Sequence, residues 1–547
     1  VDADITVKIL FSTQDTRHNG NNAQFIAGVH DLFAYTGDTD WLQAQMPRLR
    51  KALSFALEEF QITDLKHVRN SWIGHEGWGG IEWVNGEKIL HRDRGMGNNF
   101  WDLLPFGGND FYSSMLYYVA IHRMANIEEF VRAHPEWELC DTDDAFDPVD
   151  LRALAEMMKV HANEFFWNEQ TGRFPGAIDI DGVKHDYGFT FVNLEAVYYG
   201  FANAENARSI MEWITGVRTV EGDTSQGADI YNFRFAPRAT TKRNIEWYKF
   251  AWSAPERLNF GDQIQDGGAV FGFAYHDLVA RHRTMGPEVG WERLLEMLEW
   301  YEEVWEAGGY RLFYAEREGI LQSPEPGGLG LHREFTEPSL LPLYAITGLF
   351  GFSARPDGFM LDPHFPESLG EFSVDRVRFQ DALLSLHYRD GVVTVQVDQG
   401  SLDGLQLYLP EGEWEVVHAV ERGRLGNARR LTPDASGMTL PLQIDGSDRL
   451  HLRGRSARVL ELERQMELNA ERWAKRARSP LWDYSQEPIL QINFGAPETP
   501  AVEGWTLLGQ EPFSSERGFG WEQAPDLLRF VETGNNVRER SMFLVSR

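Results

Sequence analysis

The chain has 547 residues, 42% of them apolar, with 52 Lys and Arg against 83 Asp and Glu, a formal charge of −31. That much apolar chain can bury several cores, and that charge repels nucleic acid and anionic membranes and disfavours a polyanionic substrate. The single cysteine, Cys140, excludes an internal disulfide framework and a cysteine zinc cluster, and no apolar run approaches the ~20 residues of a membrane span.

The first residues, "VDADITVKIL", read as if entered mid-domain, and a secreted or periplasmic location is expected over a cytoplasmic one. Residues 22 to 60 read as a helical hairpin, with Phe25, Val29, Leu32 and Phe33 on one face and Leu49, Leu53, Ala56 and Phe60 on the other. Between them "YTGDTDWL" turns the chain, with Gly37 as the stop and Asp38 or Asp40 as the next N-cap. Helical spacing recurs at about 110 to 125, at 149 to 167, as a tight pair over 190 to 215, and over 268 to 284. A helix over 287 to 306, carrying Trp291, Leu294, Leu298, Tyr301 and Trp305, follows Gly286-Pro287 and stops at Gly308-Gly309, and a last one spans about 338 to 350. Helix following helix, with short turns alternating with long glycine-rich loops, predicts a toroid of helical hairpins whose loops carry function.

After Pro356 the period changes. "FSVDRVRFQDALLSLHYRDGVVTVQV", "LQLYLPEGEWEVVHAV" and "LPLQIDGSDRLHLRG" alternate apolar and polar residues, which predicts a β-sandwich of hairpins. The expected organisation is a helical domain over 1–355, a β-sandwich over 356–460, a charged linker with a short helix over 461–487, and a β-rich, carbohydrate-binding-like domain over 488–547. The last is about 60 residues, short for a sandwich of ~100, so the chain is expected to end inside it.

A helical toroid with acidic aromatic loops and a trailing β-sandwich resembles the six-hairpin, (α/α)6-barrel glycosidases, a group that includes glucoamylase, trehalase, α-L-rhamnosidase, α-L-fucosidase and the cellobiose phosphorylases. "NAQFIAGVHDLFAYTGDTDWL" looks like an early hairpin of the rhamnosidase type, and "FFWNEQTGRF" like the turn after a barrel helix. "QDGGAVFGFAYHDLVARHRTMGPEVGWERLLEML" is similar to a segment of the disaccharide phosphorylases, and "ITGLFGFSARPDGFMLDPHFP" to the passage from the last helix into the β-sandwich. The likeness covers roughly residues 20 to 450.

The resemblance implies an oligo- or polysaccharide substrate and a glycosidic bond broken by two carboxylates. It places the general acid just after a tryptophan at the start of a barrel helix, where "GMGNNFWDLLPFGGNDF" has Trp101-Asp102, with Asp in place of Glu. A carboxyl beside an indole in a poorly solvated loop has a raised pKa, which keeps it protonated for the leaving oxygen. Asp93 and Asp110 are rivals, Asp110 as the N-cap of the following helix. The base is expected just upstream of the last helix, at Glu337 or Glu334, with Glu316 and Glu318 as alternatives. Where phosphorylases border their sugar and phosphate sites, this chain has Gln265-Asp266-Gly267-Gly268, with Asp266 for an expected Asn and Gln265 for a carboxylate.

Glu76, Trp78, Glu82 and Trp83, in "GHEGWGGIEW", are candidates to stack a sugar and bind its hydroxyls. Arg238, with Arg234, Lys242 and Arg243, is a candidate for an acidic substituent. No metal motif, phosphate loop or dinucleotide fingerprint occurs, and no cofactor is expected. The reading is a glycoside hydrolase, inverting. A glycoside phosphorylase, an (α/α)-toroid polysaccharide lyase and a non-catalytic glycan-binding protein are the alternatives.

Overall fold

Caps written into the sequence set the helical part. In the computed structural model, helix α1 (Asn21–Thr36) stops at Gly37, whose φ of 66° is the left-handed conformation that a Cβ disfavours. Asp38 caps α2 (Thr39–Glu59) by accepting from the Trp41 N–H at 3.0 Å. Asp110 caps α3 (Phe111–Arg132), and Asp147, with Pro148 at the first helical position, caps α4 (Pro148–Phe165). The pair α5 (Thr190–Tyr198) and α6 (Ala204–Ile214) follows, then α7 (Ala274–Met285) and α8 (Pro287–Glu306).

The structure describes residues 20–74, 80–91, 106–140, 142–231, 237–244, 260–261, 266–268, 271–306, 340–420, 424–425, 428–444 and 448–477, with 492–494, 506–508, 528–531 and 541–544. Among them each helix packs on its sequence neighbour as a hairpin, and α1 also packs on α3 and α5 on α7. The architecture is mixed helix and sheet. The expected last helix is, in its described part, a helical turn ending as a π turn at Ala345–Leu349.

Two buried stripes differ from the expected ones. In α1, Phe25 and Leu32 are exposed, and Ala23, Ile26, Val29, His30 and Phe33 face inward. In α8, Leu298 and Tyr301 are exposed while Val289, Arg293, Met297 and Trp300 are buried. Arg293 takes the centre of that contact because Asp277 of α7 meets its guanidinium at 3.3 Å, and an ion pair can lie inside where an unpaired charge cannot.

A six-stranded sheet of order β3-β2-β1-β4-β5-β6 lies among the hairpins. Its strands are β1 (Val68–Gly74), β2 (Gly80–Val84), β3 (Glu87–His91), β4 (Gly107–Asp110), β5 (Ala177–Ile178) and β6 (Lys184–His185). The stretch "GHEGWGGIEW", which reads as a loop in the sequence, supplies β2. The Asn85-Gly86 dipeptide after it, both residues at positive φ, is the two-residue turn that matches the twist of a hairpin, and it pairs Val84 with Glu87.

Beyond Ser353 the expected strands form. One sheet of seven strands contains β9 (Glu371–Phe379), β10 (Ala382–Arg389), β11 (Val392–Gln399), β13 (Gly412–Val420) and β17 (Arg449–Ser456). Asp390-Gly391, again both at positive φ, makes the expected turn between β10 and β11. A four-stranded sheet holds β7 (Ser353–Arg355), β8 (Gly358–Met360), β12 (Gln406–Leu409) and β16 (Met438–Pro441). Phe359 of β8 meets Phe379 of β9 with ring centroids 5.5 Å apart.

The charged stretch expected as a linker begins as helix α9 (Ala457–Trp473), capped by Ser456. It lies back on the helices: Trp473 is buried and its indole donates to Glu212 of α6 at 3.1 Å, and Arg476, just past its end, pairs with Glu292 of α8 at 2.9 Å. Contacts divide the chain into two compact units, Val1–Pro480 and Leu481–Arg547. In the second unit β18 (Ile492–Phe494) pairs parallel with β19 (Thr506–Leu508), and β20 (Leu528–Val531) antiparallel with β21 (Ser541–Leu544). Among the described residues no helix is long and apolar enough to cross a membrane.

Candidate functional site

The N-terminal ends of α3, α5 and α7 gather an aromatic cluster. Phe106 stacks on Tyr112 with centroids 5.4 Å apart, Tyr112 meets Phe191 edge-on at 5.9 Å, and Phe191 stacks on Phe273 at 4.9 Å. Asp110 stands beside them as a buried cap, its Oδ1 accepting from the Ser113 N–H at 2.9 Å, which is the structural role expected of it. One turn beyond Phe191 on α5 lies Glu195, 7% exposed and hydrogen-bonded to Tyr112. Burial pushes its carboxyl from an ordinary 4.5 up to about 8, only partly offset by the Tyr112 hydroxyl, so it is protonated at neutral pH.

Sequence reasoning missed Glu195. Its signal was the one carboxylate in the otherwise uncharged helix "TFVNLEAVY". In the folded protein Glu195 holds its proton to about pH 8, whereas unfolded it releases it near 4.5. Stability therefore falls as pH rises through that window, by on the order of 5 kcal/mol. Glu195→Gln keeps the shape and an acceptor for Tyr112 but carries no proton to lose. It is expected to melt with wild type at about pH 5 and well above it at about pH 9, measured by thermal unfolding. Equal melting of the two proteins at both values would contradict the protonated assignment.

The sequence-predicted residues fall as follows. Trp101, Asp102, Glu76, Trp78, Gln265, Glu334 and Glu337 lie outside the described residues, as do Asp93, Arg234, Glu316 and Glu318. Glu82 and Trp83 are in β2, their backbones opposite Ile89 and Lys88. Asp266 is buried, with Oδ1 accepting from the Asn244 N–H at 2.9 Å and Oδ2 3.4 Å from Arg243. Arg238 is buried as well; it donates to the carbonyl of Gly267 at 2.6 Å and of Asp229 at 3.0 Å, and its guanidinium lies over Phe260. Asp266 and Arg238 thus clasp the segment before α7 to the 237–244 strand-like stretch.

That stretch is anchored from below. Arg173, from the "FFWNEQTGRF" turn, is 1% exposed and binds Asp186 at 2.8 Å and Asp223 through two nitrogens at 2.5 and 2.8 Å. Thr241 donates to the same Asp223 at 2.6 Å. Thr190, at the start of α5, donates to the carbonyl of Arg238 at 2.5 Å. A helix start, a buried ion triad and the loop before α7 are one connected body.

Between α1, the middle of α3, the end of α5 and α7 lies a cavity of about 870 Å³. Asp31 and Tyr35 of α1, Tyr118 and Arg123 of α3, Tyr198 of α5, and Tyr275 and Arg283 of α7 contribute to its wall. Burial disfavours the charge on Asp31, but the hydrogen bond from His30 at 2.8 Å and Arg123 outweigh it and hold the carboxyl below its usual range. The Arg123 Nε lies 3.2 Å from Asp31 without hydrogen-bond alignment, so that contact is Coulombic. His30 itself is driven down to about 4 by burial and is neutral at pH 7. Among the described residues no group of three or more His, Cys, Asp and Glu is arranged to hold a metal ion.

No protein-family model matches the chain, and no curated protein does. Among solved structures it is similar to the GH78 family rhamnosidase of Bacillus sp. GL1, at 12% identity and a TM-score of 0.38, over 68% of this chain and 30% of that one. It is similar to an α-L-rhamnosidase from Dictyoglumus thermophilum at 9% identity and a TM-score of 0.32, over 77% and 38% of the two chains. For a putative kojibiose phosphorylase from human microbiome the values are 8%, 0.29, 78% and 50%. The chain spans half or less of the length of each of these proteins.

Proposed function

We infer that the protein is a glycoside hydrolase of the six-hairpin type, working at the N-terminal ends of α3, α5 and α7. Residues 1–355 are the catalytic (α/α)6 toroid, 356–460 a β-sandwich that supports it, and 488–547 a further β-rich domain. Asp102 protonates the leaving oxygen. Glu337 or Glu334 activates water on the opposite face of the sugar, which inverts the anomeric centre and requires the carboxyls ~6.5–9.5 Å apart.

The observation that carries this reading is the buried aromatic base of Phe106, Tyr112, Phe191 and Phe273, with the protonated Glu195 beside Tyr112. Trp101-Asp102 stands just upstream of Phe106 in the chain, and Gln265-Asp266 just upstream of Phe273. These rings are buried, so they form a packed base and not a stacking surface, and a dry base raises the pKa of a carboxyl placed over it. Arg238 supports the hydrolase over a lyase, because the donors that would neutralise a uronate are spent on backbone carbonyls.

The test is incubation with a panel of oligosaccharides and aryl glycosides, with and without phosphate, following the anomeric signals by proton NMR. Hydrolysis independent of phosphate with an inverted first product is expected. Turnover only with phosphate would make the protein a phosphorylase, and an unsaturated product would make it a lyase.

A further inference from the structure

The cavity is lined by the middle of α3, the C-terminal ends of α1 and α5, and both Tyr275 and Arg283 of α7, and among the described residues its charges do not cancel. Arg123 faces Asp31 at 3.2 Å, and Arg458 binds Asp362 at 2.8 Å. His122 and His282 also line it, and burial lowers the pKa of both, which leaves them neutral. Arg283 remains. It donates to the carbonyl of Tyr198, the last residue of α5, and lies 5.4 Å over the ring of the same tyrosine. Among the described residues it has no carboxylate within ion-pair distance.

Arg283 keeps accessible surface, and that surface is cavity wall. A guanidinium has five N–H donors in a planar fork that matches a carboxylate. One of its nitrogens is spent on the Tyr198 carbonyl, and among the described residues the guanidinium makes no other hydrogen bond. Around it Tyr35, Tyr118 and Tyr275 supply ring faces and hydroxyls, and Asp31 and Asn126 supply acceptors for hydroxyl groups. A volume of about 870 Å³ is in the range of sites that enclose a small ligand.

We propose that this cavity is a second ligand site, which takes a uronate-bearing mono- or disaccharide with its carboxylate on Arg283. Among the described residues one cation lacks a carboxylate at ion-pair distance, which matches a monoanion and falls short of a phosphate dianion. A neutral sugar would leave Arg283 with only the longer-range pull of Asp362 to answer its charge. None of the described residues that line it belongs to the loops before α3 and α7, and the proposal does not use the hydrolase reading.

The test is calorimetric titration of the full chain with glucuronate, glucose and glucose 6-phosphate. Glucuronate is expected to bind about tenfold or more tighter than either of the others, a preference that added salt weakens. Arg283→Gln is expected to lose that preference and Arg283→Lys to keep part of it, with Asp102→Asn binding as wild type does. Equal affinity for glucose, tighter binding of glucose 6-phosphate, no binding of any of the three at millimolar concentration, or a folded Arg283→Gln that binds glucuronate unchanged would each overturn the proposal. The three wild-type titrations decide the question even if the variants fail to fold.

Discussion

Asp102→Asn is expected to lower hydrolysis by about 10²–10⁴-fold, the usual worth of a positioned proton donor. Asparagine keeps the volume and the hydrogen-bonding shape but has no proton to give to the departing oxygen. The loss should therefore depend on the leaving group. An alkyl or sugar alkoxide leaves poorly without a proton and should show the full deficit. A dinitrophenolate leaves unassisted, so the variant should cleave that aryl glycoside at close to the wild-type rate. Steady-state kinetics on the two substrate types separates this from loss of binding, which would raise KM for both alike. A variant that hydrolyses the sugar substrate at near the wild-type rate would remove Asp102 from the mechanism.

The second large effect is on stability. Arg173→Ala is expected to destabilise the first unit by about 3–5 kcal/mol, the cost of leaving buried charge without its partner. Asp223 and Asp186 are both buried and both lose their cation at once. Asp186 keeps donors from Asn168, Thr171 and the Gly188 N–H, and Asp223 keeps Thr241, but none of these neutralises a charge. Lysine at this position is expected to recover little, since one ammonium cannot reach both carboxylates in a bidentate fork. Adding Asp186→Asn and Asp223→Asn to Arg173→Ala should restore part of the melting temperature, measured by circular dichroism. Melting of Arg173→Ala at the wild-type temperature would mean the triad is dispensable. Because the same cluster holds Thr241 and through it the stretch of Arg238, activity should fall with stability.

Much of the scaffold was legible because its signals are local. Gly37, Asp38, Asp110 and Pro287 mark helix ends by φ preference and capping chemistry, which act within a few residues whatever the tertiary structure does. The hairpin of β10 and β11 was readable for the same reason: strict alternation around Asp390-Gly391. The buried faces of α1 and α8 were less legible. A helix with apolar residues on more than one side does not say which side its neighbour will take, and in α8 the choice turned on Arg293 finding Asp277. The β1–β3 sheet was hidden by its aromatic, glycine-rich composition, although Asn85-Gly86 carried the hairpin signal.

In the site, Asp110 was read as a cap, and it is one. Glu195 left only a faint linear signal, because its raised pKa comes from burial in the fold, with Tyr112 of α3 beside it. Asp266 and Arg238 stood out as charges near glycines, but their partners, Asn244 and Asp229 among them, come from a fold-level contact that spacing does not give.

Helix α9 has a consequence for the order in which the protein is made. The seams of α6, α7 and α8 are closed by residues from past the sheets: Met466 fills the space beside Gly286, where a Cβ would come within 2.4 Å of its sulfur, Trp473 covers Glu212, and the Ala477 N–H bonds to the carbonyl of Thr215 at 2.9 Å. A ribosome finishes α8 about 150 residues before it supplies that cover. Through the whole interval the growing chain carries an unsealed seam, with the buried carboxylate of Glu212 still open to water. Closure of the helical part thus waits on synthesis of α9, which follows the sheets in the chain.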